Sequence, residues 1–139
     1  MPTLPNDAED LPARRYVLGL GCERGTSPED VHALVECALR EIGITAGQLY
    51  AVASIDTRRD EPAIVEVATR LNVPLRVLDA ATLERETPRL KNPSDLVFAR
   101  VGCHGVAEAA ALAVAGANAE LVLPKMKSGF STAAIARIG

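Results

Sequence analysis

The sequence is poor in aromatic residues: they make up 3% of its 139 residues, and Trp is absent. Proteins that bind single-stranded nucleic acid commonly stack bases on aromatic side chains. The net charge of −3 also argues against binding to a phosphate backbone, which usually requires a basic excess or a basic stripe. We therefore expect no nucleic-acid partner.

Cysteine is scarce as well. Cys22, Cys37 and Cys103 are three in number and show no paired spacing, which argues against a disulfide framework and favours a reducing compartment. The Cys103-His104 pair lacks the CxxC or HxxxH spacing typical of metal sites, so we expect no metal and no other cofactor. Cys37 falls between core positions of a predicted helix and is expected to be structural, whereas His32 is expected to be exposed.

Long hydrophobic runs are also missing. The alanine-rich stretch 106–115 is too short to span a bilayer and is bounded by glycines. Residues 1–14 are polar and acidic and lack the charged-then-apolar order of a signal peptide, so we expect a flexible leader. These features predict a cytoplasmic protein without a membrane partner.

The residues that are abundant predict an α/β fold. Ala, Val, Leu and Ile dominate a hydrophobic fraction of 48%, and the length suits one domain, expected over residues 15–139. Strand and helix patterns alternate, which favours a three-layer α/β/α sandwich around a mixed, mostly parallel sheet of about five strands. The predicted strands cover 16–20, 50–55, 74–78, 120–123 and 131–138, the last returning antiparallel to the fourth; the predicted helices cover 28–42, 61–71, 82–86, 94–101 and 106–115.

The first candidate site is the segment 19–27, GLGCERGTS, between a strand and a helix N-terminus. Ligands of open α/β sheets bind at the carboxyl ends of strands, and a helix N-terminus attracts anions. Arg24 adds a forked donor suited to a carboxylate or phosphate. The glycine spacing is one residue longer than the dinucleotide fingerprint and lacks the phosphate-loop lysine, so a nucleotide site is a remote alternative. The simpler alternative is that the segment forms a tight turn capped by Ser27, with the Arg24 side chain in solvent and no ligand.

The second candidate is the segment 124–130, PKMKSGF, which predicts a turn-rich cationic loop. A hairpin turn whose lysines discourage edge pairing is the structural alternative. If the fourth strand runs parallel to the first, Lys125 lies at the same end of the sheet as Arg24. The two loops then form one site for an anionic small molecule. Its expected ligand-binding residues are Gly21, Cys22, Arg24, Gly25, Thr26, Ser27, Lys125, Lys127, Ser128 and Gly129.

Two carboxylates are candidates for acid–base chemistry. Asp56 follows the second predicted strand and could act as an acid, a base or a hydrogen-bond acceptor. Glu61 precedes Pro62 and is equally typical of a helix start. No catalytic triad is visible, so the sequence leaves open whether the protein is an enzyme.

Taken together, the segments resemble the family of CobE and the C-terminal domain of CbiG. The resemblance extends from about Tyr16 onward and is most specific in two motifs, GxGCxRGTS and PKxKSG. The matching segments, in order, are VLGLGCERGTS at 17–27, SID at 54–56 before Glu61-Pro62, VAEAA at 106–110, LPKMKSG at 123–129, and the closing 132–138.

This resemblance implies a role in cobalamin (vitamin B12) synthesis at the precorrin stage. CbiG-type proteins open a lactone on a cobalt-precorrin and carry additional N-terminal sequence, so the chain is expected to be of the stand-alone CobE type. Two functions stay open. One is an accessory protein that binds an anionic tetrapyrrole of the precorrin or hydrogenobyrinic acid type and hands it on. Its expected partners are then other enzymes of the corrin pathway. The other is a hydrolase, with Asp56 or Glu61 as the base and Arg24 or Lys125 stabilising an oxyanion.

Overall fold

One mixed sheet organises the chain in a computed structural model that describes residues 14–139, so the predicted leader, except Arg14, lies outside the described residues. The strand order is β3-β2-β1-β5-β4. β1, β2 and β3 pair in parallel, while β5 is antiparallel to both β1 and β4. β4 therefore runs parallel to β1, as the shared-site hypothesis requires. The strands are β1 Tyr16–Cys22, β2 Leu49–Ile55, β3 Leu75–Leu78, β4 Glu120–Ser128 and β5 Ser131–Arg137.

Helices cover both faces of this sheet, which confirms the predicted sandwich. α1 and α2 pack on the face that carries Leu18, Leu20 and Val52. α5 packs on the opposite face, against Val17 and Ala53, with α3 beside it. The helices are α1 Pro28–Ile42, α2 Pro62–Leu71, α3 Ala80–Glu84, α4 Asp95–Val101 and α5 Ala107–Ala115, with single 3₁₀ turns at Ala46–Gln48, Asp56–Arg58 and Thr87–Arg89. Within residues 14–139, no helix combines the length and the apolar character needed to cross a bilayer.

The central strand lies unusually close to α5. A Cβ atom on Gly19 would lie 1.9 Å from the backbone oxygen of Ala107, so only glycine allows this approach. The alanines of α5 make the same contact possible from the helix side, because they present little more than a methyl group to the sheet. The helix is almost wholly buried, and its carboxylate Glu108 is only 2% exposed.

The structure corrects the predicted loop 124–130. β4 continues through Ser128, and only Gly129 and Phe130 form the turn to β5. Proline usually interrupts a strand, but Pro124 is tolerated because β4 is an edge strand with a β-bulge at this point. The predicted antiparallel pairing of the last two strands is confirmed.

Two expectations for α1 were wrong. Cys37 is exposed, because the buried face of α1 is taken by Val31, Leu34, Val35, Ala38 and Leu39 and residue 37 falls outside it. His32 is only partly exposed, and its Nε2 lies 3.3 Å from Glu36 Oε2, one turn further along the helix.

Candidate functional site

A cavity of about 310 Å³ opens where the carboxyl ends of β1, β2 and β4 meet. Its far wall is formed by α4 and by the N-terminus of α5, whose dipole favours an anion nearby. Its lining combines apolar and charged side chains. The lining residues are Gly21, Cys22, Glu23, Ile55, Arg58, Asn92, Val97, Arg100, Val101, Gly105, Val106, Ala107, Glu108, Lys125, Lys127, Gly129, Phe130 and Thr132.

Glu108 joins three segments of the chain at the base of this cavity. Its Oε1 accepts hydrogen bonds from the backbone N–H groups of Lys91 and Asn92, at 2.9 and 3.0 Å. Its Oε2 accepts from Asn92 Nδ2 at 2.9 Å and from the Lys125 N–H at 2.8 Å. One carboxylate thus fixes the connection before α4 and the edge strand β4 to the start of α5.

The β-bulge in β4 makes the contact with Lys125 possible. Leu123 pairs with Ile135 and Met126 with Ala133, so Pro124 and Lys125 together oppose a single residue of β5. The Lys125 N–H is thereby directed to Glu108. Lys125 and Lys127 are two residues apart and so project from the same face of the strand, and both line the cavity.

The Glu108 carboxylate is held in its charged form. Burial alone would raise the pKa of Glu108, but the hydrogen bonds from the Asn92 side chain and from the three backbone N–H groups outweigh this and lower the pKa below its usual value. Because both oxygens are already occupied, Glu108 is suited to positioning Lys125 and poorly suited to accepting a proton.

Four cationic side chains give the cavity a positive lining. They are Arg58, Arg100, Lys125 and Lys127. After the charges of Glu23 and Glu108 are subtracted, the cavity lining carries a net charge of +2, whereas the whole chain carries −3. Arg58 is held by a hydrogen bond of 2.8 Å from Nε to the Cys22 carbonyl. The exposed Arg100 forms an ion pair with Glu23, its Nη1 lying 3.5 Å from Glu23 Oε2.

The structure brings the two predicted loops together but divides their residues. Gly21, Cys22, Lys125, Lys127 and Gly129 line the cavity. Outside the lining lie Arg24, Gly25, Thr26, Ser27, Ser128 and both predicted carboxylates, Asp56 and Glu61.

The residues outside the lining have identifiable local contacts. Arg24 Nη2 donates to the Thr57 carbonyl at 2.9 Å, and Thr26 Oγ1 donates to the Glu23 carbonyl at 2.6 Å. Glu61, only 5% exposed, accepts a hydrogen bond from the Gly25 N–H at 3.1 Å. Its contact therefore shapes the loop after β1. Ser27 stands at the N-cap of α1, as predicted, but its side chain makes no capping hydrogen bond.

Sequence reasoning missed several lining residues. Arg58 follows the end of β2 and carries the same positional signal as Asp56. Glu108 is the lone charge of an otherwise apolar helix, and this signal is visible in the sequence although it does not by itself indicate a site. Asn92 and Arg100 gave no signal, because they lie in the long connection between β3 and α5, whose path over the sheet no local pattern specifies.

Cys22 is the thiol that lines the cavity. Burial, reinforced by the negative charge of Glu61, raises the pKa of Cys22, so the thiol stays protonated and weakly nucleophilic at neutral pH. In the part of the chain that the structure describes, no three His, Cys, Asp or Glu side chains are grouped so as to hold a metal ion.

Comparison with known proteins places the chain in a family. Residues 16–136 match the family model "Cobalamin synthesis G C-terminus". The chain is 55% identical to Protein CobE from Sinorhizobium sp., over 98% of this chain and 89% of that protein. The chain belongs to the CobE/CbiG C-terminal domain family.

Two further relatives support this membership. A crystal structure of CobE, described as a protein from the cobalamin (vitamin B12) biosynthetic pathway, superposes with a TM-score of 0.84 at 41% identity, covering 90% of this chain and 91% of that one. The cobalt-precorrin-5A hydrolase of Priestia megaterium is 33% identical to this chain over 87% of the chain's length. The matched part covers only 32% of the length of that enzyme. The chain is thus a cobalamin biosynthesis protein of the CobE type, and the resemblance stated from its motifs is confirmed.

Proposed function

We propose that the cavity binds a polycarboxylate corrinoid intermediate, of the precorrin or hydrogenobyrinic acid type, and holds it or hands it to another enzyme of the pathway. The observation that carries this proposal is a cavity lined by four cationic side chains together with apolar ones. A precorrin carries acetate and propionate groups around a broad ring, and such groups are the ligands that lysine and arginine bind by charge-assisted hydrogen bonds. The cytoplasmic location expected from the sequence remains part of this proposal.

The size of the cavity determines how such a ligand is held. Pockets that enclose a drug-sized ligand measure about 300–1,000 Å³, and a cavity of about 310 Å³ is at the lower end of that range. A tetrapyrrole is larger than a typical drug molecule. The cavity therefore takes one edge of the ring with its carboxylates, and the remainder of the ring stays outside, where another protein can reach it.

The strength of binding follows from the polar contacts. Hydrogen bonds to charged groups contribute about 1.5–3 kcal/mol each. Three or four such contacts, reduced by the cost of ordering ligand and side chains, correspond to micromolar affinity. A micromolar affinity is suited to a protein that releases its ligand to the next enzyme.

Hydrolysis of a precorrin lactone is the second candidate, and the similarity to the cobalt-precorrin-5A hydrolase favours it. The positions of the carboxylates favour binding instead. Glu108 is fully hydrogen-bonded with a lowered pKa, and Asp56 and Glu61 lie outside the cavity lining. Incubation with a lactone-bearing precorrin distinguishes the two. A change in mass that Asp56→Ala abolishes would establish the enzyme, whereas binding without any change supports the accessory role.

Titration of hydrogenobyrinic acid into the purified protein tests the binding proposal. The double variant Lys125→Ala, Lys127→Ala is expected to bind about 10- to 100-fold more weakly, because it loses two charge-assisted contacts. The double variant Arg40→Ala, Arg85→Ala removes the same charge at exposed positions outside the cavity lining and should keep wild-type affinity. Equal losses in both double variants would mean that net charge alone attracts the ligand and would contradict the proposal.

A matched pair of arginine variants tests whether the ligand contacts the cavity lining or the side chain of Arg24 in the loop after β1. Arg100 lines the cavity, and Arg24 is bonded to the Thr57 carbonyl outside it. We expect Arg100→Gln to weaken binding several-fold and Arg24→Gln to leave it nearly unchanged. A larger loss in Arg24→Gln would return the site to the arrangement predicted from the sequence, in which Arg24 itself holds the anion.

A further inference from the structure

Phe130 combines exposure with a position at the mouth of the cavity. Its side chain is 67% exposed, and it lines the cavity from the tip of the β4–β5 hairpin. Single exposed apolar residues are common on protein surfaces, so exposure by itself carries no inference. An inference does follow from the position of Phe130, because the residue lies in a fixed turn beside the cationic side chains of the cavity.

The turn that carries Phe130 is held on both sides. The Phe130 carbonyl accepts a hydrogen bond of 3.0 Å from the Glu23 N–H, which ties the hairpin tip to the loop after β1. Ser131 Oγ donates to the Ser128 carbonyl at 3.0 Å, which closes the turn from within. Gly129, at φ +56°, supplies the left-handed conformation that the two-residue connection requires. The ring is thus presented on a rigid support.

The other aromatic residues of the chain already have partners. Phe98 stacks on His104 with ring centroids 4.5 Å apart. Tyr50 lies under the Arg76 guanidinium at 5.1 Å, and Tyr16 packs against the core. Among residues 14–139, Phe130 is the aromatic residue that lines the cavity.

We propose that Phe130 packs against the face of the macrocycle whose edge carboxylates are bound by the cavity cations. This inference rests on the proposed function and adds a specificity determinant to it. The cations recognise any molecule with several carboxylates, whereas a fixed aromatic ring gains contact only from a broad, conjugated surface. Phe130 therefore makes the site selective for a tetrapyrrole over a flexible acid of similar charge.

Affinity for two ligands measures this selectivity. The ligands are hydrogenobyrinic acid and the acyclic butane-1,2,3,4-tetracarboxylate. Phe130→Ala is expected to bind the tetrapyrrole about tenfold more weakly or worse, as when a stacking side chain is removed from a nucleic-acid site. Its affinity for the acyclic acid should not change. Phe130→Trp should retain affinity and, as the single Trp of the chain, should be quenched when the tetrapyrrole binds.

Controls separate this proposal from the proposed function. Leu96 is 64% exposed and lies outside the cavity lining, so Leu96→Ala should change neither affinity. Suppose that Phe130→Ala binds the tetrapyrrole with wild-type affinity while the double variant Lys125→Ala, Lys127→Ala still binds it more weakly. That result would overturn the role of Phe130 and leave the proposed function standing. An equal loss for both ligands in Phe130→Ala would also overturn the role of Phe130. Absence of tetrapyrrole binding by the wild type would overturn both proposals.

Discussion

Replacing Gly19 with alanine is expected to lower the free energy of unfolding by about 3 kcal/mol or more, a large share of the stability of a small domain. The new Cβ would lie 1.9 Å from the Ala107 oxygen and 2.8 Å from the Ala107 carbonyl carbon. Both are backbone atoms that cannot rotate away, so α5 would have to separate from the sheet. Chemical denaturation followed by circular dichroism measures the loss.

Gly105 offers a matched control on the same side of the sheet. A Cβ there would come within 3.2 Å of Leu90 Cδ1, the flexible end of a side chain. Gly105→Ala should therefore cost less than about 1 kcal/mol, since the leucine can adjust. If Gly19→Ala unfolded at the wild-type denaturant concentration, the close contact between β1 and α5 would be wrong, and with it the placement of the cavity wall.

Removing the Glu108 carboxylate is expected to produce the second large effect. In Glu108→Ala the N–H groups of Lys91, Asn92 and Lys125 and the Asn92 amide lose their acceptor. Four partly buried donors left without an acceptor, and the space left by the buried side chain, should together lower stability by about 3–5 kcal/mol. Glu108→Gln keeps the shape and one good acceptor, so its loss should be smaller, about 1–3 kcal/mol.

The pH dependence of this loss gives an independent test. The pKa of Glu108 is lowered in the folded protein, so its contribution to stability is fully present above the usual glutamate pKa of about 4.3 and is lost as the pH falls through the folded pKa. The difference in unfolding free energy between wild type and Glu108→Gln should therefore be largest near neutral pH and shrink below about pH 4.

An exposed glutamate serves as the reference for this comparison. Glu120 pairs with Arg137 on the sheet surface, where ion pairs contribute little. Glu120→Gln should stay within about 0.5 kcal/mol of wild type across the pH range. A Glu108→Gln difference that did not vary with pH would show that the charge of Glu108 does not hold the three segments together.

The general architecture followed from local patterns in the sequence. The apolar spacing of 31–42 and the Ser27-Pro28 start were enough to place α1, whose observed bounds are Pro28–Ile42. Short apolar runs, one ending in glycines at 19–21 and the other before Asp56, gave β1 and β2 to within two residues. These elements are determined by burial periodicity and by helix start and stop signals, both of which are visible within a single segment.

The site was less predictable, because its details depend on contacts distant in sequence. Pro124 predicted a break in the strand, and only the bulge opposite β5 explains why β4 continues to Ser128. Arg24 has the residue type expected for anion binding, yet its side chain turns to the Thr57 carbonyl. The two loops were identified, but the individual lining residues depend on the path of 91–106 over the sheet.

Mapping backbone amide chemical shifts during titration with hydrogenobyrinic acid tests the central claim most directly. A ligand held by the cation-lined cavity should perturb the amides of 21–23, 105–108 and 125–132 together, with saturation at micromolar concentrations. Shifts centred instead on the second cavity, lined by Val65, Thr69 and Leu75, or no saturable shifts at all, would contradict corrinoid binding at the carboxyl end of the sheet.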